Sequence, residues 1–163
     1  MYFQDHMPGN ICFGCGRENH EGLRISSRWL EGEDKQIAVC EFMANKRHQG
    51  WPGILNGGII ATVMDCHSMG TAMAEAYRSE GRSLDSEPIY RYATGTLNIK
   101  YLAPTPSDKP VIFKAWVMEQ KGRKTTLICE CWSGDTKTAI ADVVAIRVVD
   151  TSKDDKTIFQ EGV

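Results

Sequence analysis

Asn56-Gly57-Gly58-Ile59-Ile60-Ala61-Thr62-Val63-Met64-Asp65 opens the one long helical run of this chain. From Gly57 to Met73 the only side chains that can carry charge near neutral pH are Asp65 and His67. A helix apolar almost all round belongs inside a protein. A carboxylate sequestered there needs a partner or a task. Gly57 and Gly58 leave helix N-terminal amides uncovered, where partial positive charge gathers. Uncovered amides and a sequestered carboxylate together suit a site that polarises a carbonyl and activates a water beside it.

Working outward, the helix is expected from Gly57 to Arg78, with Gly81 ending it. Before it, residues 1–22 read as an irregular arm or cap. Gly22–Trp29 reads as a first strand, Gln36–Phe42 as a second, and 44–56 as a loop. After it comes a polar segment, Arg82–Pro88, expected to be mobile. Leu97, Ile99 and Tyr101 then alternate with Thr94, Thr96, Asn98 and Lys100, the period of a half-buried strand. Val111–Glu119, Lys124–Ser133 and Thr138–Val149 complete the strands, and short turns between them favour antiparallel pairing. One helix and one antiparallel sheet make a two-layer α+β domain over 23–149, followed by a loose tail over 150–163.

Composition narrows the function. The 163 residues suit one domain with a real core, and a net charge of −2 offers no basic surface for nucleic acid or anionic lipid. No apolar run of membrane length and no secretory leader is legible, so a cytoplasmic protein with reduced thiols is expected. Cys12-x-x-Cys15 has metal-ligand spacing, but zinc needs further ligands and no second Cys-x-x-Cys exists. His20 and Cys40 would join only by coincidence of fold, so no metal site is assigned. Cys66 reads as a small core hydrophobe, and Cys129-x-Cys131 as two side chains on one face of a strand. His67 lies two residues from Asp65, on the opposite side of the helix, and is expected to pack rather than to form a dyad.

Several motifs, in order, resemble the PaaI-like hotdog-fold thioesterases. They are Cys12-Phe13-Gly14-Cys15-Gly16, Asn19, Gly22-Leu23, His48-Gln49-Gly50-Trp51-Pro52-Gly53 and Asn56-Gly57-Gly58 with Asp65. Thr94–Tyr101, Tyr101-Leu102-Ala103-Pro104-Thr105-Pro106 and Gly122-Arg123-Lys124 extend the match across residues 10–149. The resemblance implies a hotdog fold, an antiparallel sheet wrapped around the long helix, with two subunits pairing their sheets. It implies a homodimer or a homotetramer built as a dimer of dimers, with acyl-CoA in a groove at the dimer interface. It gives Asp65 the role of general base or nucleophile and lets the Gly57 amide polarise the thioester carbonyl. Thr94 would hold the attacking water, contributed by the partner subunit.

Around that centre Gly58, Trp51 and His48 are expected to line the substrate, with Gly122, Arg123 and Lys124, helped by Arg82, at the phosphates of coenzyme A. Coenzyme A enters only as part of the substrate, and no cofactor is expected. One departure stands out: the family commonly has His-Gly-Gly where this chain has Asn56-Gly57-Gly58. Asparagine cannot shuttle a proton, yet its amide can donate a hydrogen bond beside the Gly57 amide. Competing readings are a hotdog hydratase or dehydratase, which would need a histidine such as His48 facing the carboxylate, and a non-catalytic acyl-CoA-binding protein.

Overall fold

The computed structural model describes residues 1–32 and 36–153. Strands β1 (Ser27–Trp29) and β2 (Ala38–Phe42) precede helix α1 (Gly57–Ser79). Strands β3 (Tyr90–Tyr101), β4 (Val111–Lys121), β5 (Lys124–Ser133) and β6 (Thr136–Asp150) follow it. Every neighbouring pair is antiparallel, in the order β1-β2-β4-β5-β6-β3. This is the α+β arrangement of the hotdog fold, one long helix laid against a single curved sheet.

Helix and sheet meet through a core of matched sizes. Ile60, Val63 and Met64 of α1 pack with Phe113, Leu127 and Val143 of the sheet. Ala115, Cys129, Ala141 and Ala145 are buried among them, and such small residues let the helix approach the strands closely. The helix ends as its sequence dictates. Gly81 adopts a φ of 66°, while the Gly81 and Arg82 N–H groups donate to the Arg78 and Tyr77 carbonyls at 3.0 and 2.9 Å. That is a Schellman termination, which needs the left-handed residue that glycine supplies without strain.

The structure departs from the sequence reading at the first strand and in the segment after α1. The first strand begins at Ser27 and not Gly22, because Arg24 turns the chain into the left-handed region with a φ of 50°. The arm over 1–22 is bound to the domain: Phe3 and Gln4 are buried, and Gln4 Nε2 donates to Ser27 Oγ at 3.1 Å. The segment after α1 is tied down rather than free. Arg82 donates to Glu80, Ser86 and the Pro88 carbonyl, and its guanidinium lies 4.4 and 4.9 Å from the Tyr77 and Tyr90 ring centres. Of the tail expected to be loose, Thr151 is held by the Ile89 backbone, and residues 154–163 lie outside the described residues.

Candidate active site

Asp65 lies in the third turn of α1, half-buried, and its carboxylate accepts a hydrogen bond from Thr94 Oγ1 of the same chain. Both residues line a cavity of about 360 Å³, with Cys12, Cys66, Met69 and Tyr92 around them. Burial raises the Asp65 pKa above its ordinary 3.8, against the Thr94 hydrogen bond, and the nearby Cys12 raises it further. The single Thr94 donor does not offset burial.

Thr94 reaches Asp65 through a bulge. Thr94 pairs with Ala145 and Thr96 with Val144, so Gly95 is the extra residue in β3. Strict alternation would put Thr94 on the face of Thr96, away from the core-packed Leu97 and Ile99. The extra residue resets the phase and turns Thr94 toward the helix. A Cβ on Gly95 would come within 3.0 Å of Ile146 Cγ1, so the bulge sits tight on β6. The resemblance had implied that Thr94 came from a partner subunit; its hydrogen bond is made within one chain.

The helix N-terminus forms a separate hollow. Gly57, Asn56 and Trp51 line a space of about 680 Å³ closed on the other side by Tyr101 and Pro104. Among the described residues the Gly57 N–H has no hydrogen-bond partner, while the Gly57 carbonyl accepts from Tyr101 Oη at 2.7 Å. Asn56 is the N-cap of α1, and its Oδ1 accepts from the Gly58 and Ile59 amides at 2.7 and 3.3 Å. Its oxygen serves the helix, which leaves Nδ2 as its donor. Gly57 and Asp65 are eight residues apart on α1, about 12 Å along its axis. Within one chain the amide and the carboxylate therefore do not meet on a single carbonyl.

The other expected residues divide. Trp51 is 78% exposed at the rim of the second hollow. His48 lines neither space: its Nδ1 accepts from the Asn45 N–H at 3.2 Å, and burial lowers its pKa. Arg82 is committed to the end of α1, as described above. Gly122 and Arg123 form the two-residue turn between β4 and β5, with Gly122 at a φ of 58° as the first turn position of such hairpins requires. Arg123 Nε donates to the Arg147 carbonyl at 3.1 Å, and both Arg123 and Lys124 are exposed. Thr94, Ala145 and Thr125 lie in one row across β3, β6 and β5, so Lys124 is about 10 Å from Thr94.

His67 is fully buried, with Nδ1 2.8 Å from Ser27 Oγ, and burial pushes its pKa down to about 4. It packs on the far side of the helix, as its spacing from Asp65 predicts. Sequence reasoning missed three participants. Tyr101 was read as half-buried strand but is exposed and grips Gly57. The signal for the Gly95 bulge was a lone glycine inside an alternating strand. Cys66, read as a core hydrophobe, brings its sulfur beside Cys12 and Cys15, all three within 4.8 Å of one another.

Comparison with known proteins agrees with this fold. The chain is 29% identical over 132 residues to the rat (Rattus norvegicus) acyl-coenzyme A thioesterase THEM4, covering 81% of this chain and 51% of the relative. It thus spans about half the length of the curated relatives it matches. A thioesterase superfamily protein from Shewanella loihica superposes with a TM-score of 0.61 at 29% identity, covering 77% of this chain and 91% of that one. The E. coli PaaI protein from the phenylacetic acid degradation operon shares the fold, with a TM-score of 0.57 at 12% identity over 70% and 74% of the two chains. Among the described residues no helix is long and apolar enough to cross a membrane. The family model of the thioesterase superfamily matches residues 52–140, more than half of the sequence, and the chain belongs to that superfamily.

Proposed function

We propose that this protein hydrolyses acyl-CoA thioesters at sites completed by two subunits. The observation that carries the reading is the Asp65–Thr94 pair in an apolar-walled cavity, with the unpartnered Gly57 amide about 12 Å away on the same helix. Thioester hydrolysis needs a base for water and a donor where negative charge develops on oxygen. One subunit supplies Asp65 and Thr94, the other the Gly57 amide. Asp65, oriented by Thr94, takes a proton from the attacking water as that oxygen bonds to the thioester carbon. Charge on the carbonyl oxygen is stabilised by the Gly57 amide, and collapse expels coenzyme A, which leaves with a proton. A nucleophilic Asp65 would instead form a mixed anhydride, and one turnover in ¹⁸O-water separates the two by label in Asp65.

Trp51 borders the Gly57 end of the site, the Gly58 amide is taken up by the Asn56 cap, and Arg123 and Lys124 are assigned to the phosphates of coenzyme A. No cofactor beyond the substrate's own coenzyme A is required. The name of the rat relative, an acyl-coenzyme A thioesterase, supports the substrate class. Among the described residues no histidine lines the Asp65 cavity, which favours hydrolysis over a hydratase with a His–carboxylate pair.

The test uses two complementary variants. Gly57→Pro removes the amide at the first helical position, where proline is well tolerated, and Asn56 already has the extended backbone that a residue before proline needs, with a φ of −62° and a ψ of 134°. Asp65→Asn removes the base. Each alone is expected to lose most thiol release from acyl-CoA, while co-refolded mixtures recover activity because a mixed dimer holds one intact site. A mixture no more active than its parents overturns the two-subunit site, and wild-type protein that binds acyl-CoA without releasing thiol overturns the enzyme reading.

A further inference from the structure

The Cys12–Gly16 turn brings together more sulfur than the proposed hydrolysis uses. Cys12 Sγ lies 3.6 Å from Cys66 Sγ, and Cys15 Sγ completes a group whose members are all within 4.8 Å of one another. Tetrahedral zinc bound at about 2.3 Å to each sulfur would hold its ligands roughly 3.8 Å apart, close to this spacing. A disulfide needs a contact near 2.05 Å, uses two sulfurs and leaves the third unexplained. We infer that Cys12, Cys15 and Cys66 form a site for one thiophilic divalent ion of the zinc type, with the fourth position open to the cavity that Asp65 lines.

The backbone around the sulfurs is built tightly. Gly16 N–H donates to the Cys12 carbonyl at 2.8 Å, and a Cβ on Gly16 would come within 2.5 Å of the Cys12 nitrogen. A Cβ on Gly14 would stand 2.5 Å from Cys66 Sγ, so only glycine lets the turn settle onto the helix. Asn10 holds the turn from outside: its Oδ1 accepts from the Cys12 N–H at 2.9 Å, and its Nδ2 donates to Cys15 Sγ at 3.5 Å. Such outer contacts orient metal ligands. Each thiol that binds gives its proton to the buffer, so affinity rises with pH. The bound ion would staple the N-terminal arm to α1 one residue from Asp65.

Cobalt(II) is the probe, added to the reduced 163-residue chain under anaerobic conditions. One equivalent is expected to give intense thiolate-to-cobalt charge-transfer absorption with tetrahedral d–d bands, and zinc(II) to abolish both. Cys12→Ser, Cys15→Ser and Cys66→Ser should each weaken binding at least tenfold, whereas Cys40→Ala should not. Zinc(II) should raise the Tm of the wild type and not of the triple serine variant. A spectrum of octahedral cobalt alone overturns the site, as does a Cys66→Ser protein with unchanged bands. These readouts do not involve turnover, so they stand or fall apart from the hydrolysis.

Discussion

Thr94 donates its hydroxyl hydrogen bond to the Asp65 carboxylate within a single chain. The bond joins the middle of the helix to the bulged edge strand, and it places the carboxylate of the apolar stretch against a defined partner. A half-buried carboxylate with one hydroxyl donor is oriented yet not strongly stabilised as an anion, which suits a base that must accept a proton.

Asp65→Asn is expected to keep the fold and lose on the order of 10²–10⁴ in kcat, the usual weight of a general base. Thr94→Val should lose about tenfold to a hundredfold, the worth of one hydrogen bond to a charged group. Thr94→Ser should stay close to wild type. Steady-state thiol release checks all three, and an active Asp65→Asn enzyme would make the carboxylate structural.

The raised Asp65 pKa sets two pH dependences. Activity should rise with pH along a limb whose midpoint lies above 3.8, as the carboxylate loses its proton. Stability runs the other way: between 3.8 and the higher folded value the native state binds more proton than the unfolded chain, so this group costs stability as pH rises. Asp65→Asn should therefore melt at or above the wild-type Tm at neutral pH, with the difference shrinking below pH 3.8. Calorimetric melts across that range decide it.

His67 has the opposite sign. Its folded pKa of about 4 lies below the ordinary 6.5, so the unfolded chain binds the extra proton in that window. The stability associated with a neutral His67 is complete above pH 6.5 and is lost as pH falls toward 4. Urea unfolding of wild type should weaken from pH 7 to pH 4.5 more steeply than that of His67→Gln; equal slopes would remove His67 as the titrating group.

Asn56→Ala should cost roughly 1 kcal/mol, since it strips the N-cap from the Gly58 and Ile59 amides. Asn56→Asp should keep the cap. Asn56→His is expected to remain active, because the resembling family places histidine there. Tm and kcat measured together separate capping from chemistry: a harmless alanine variant would leave the backbone amide to act alone.

Replacing both Arg123 and Lys124 with alanine should raise KM for acyl-CoA and spare a truncated thioester without the nucleotide. Both side chains are exposed beside the Gly122 turn, so the fold should be unaffected. Equal losses on the two substrates would argue against phosphate contact.

Much of the architecture was legible along the chain. The apolar run from Gly57 gave a helix that ends as Gly81 predicts, and β5 occupies Lys124–Ser133 as read. Local signals suffice there, because periodicity and turn chemistry act over a few residues. The same signals placed Asp65 in a helix interior and glycines at its start, and the fold and family that the resemblance implied are those observed.

What tertiary structure alone decided is which of these groups meet. Alternation counted from Leu97 puts Thr94 on the wrong face, and only the pairing with β6, one residue out of step at Gly95, turns it to Asp65. The rise of α1 separates the Gly57 amide from Asp65, although both belong to one motif in sequence. Cys66 joins Cys12 and Cys15 because the arm folds back over the helix, a contact across 54 residues that no local pattern encodes. Sequence by itself determined the elements and the reactive residue types, since those rest on short-range propensity. Register, bulge and chain return determined their company, since those depend on contacts between segments far apart in the chain.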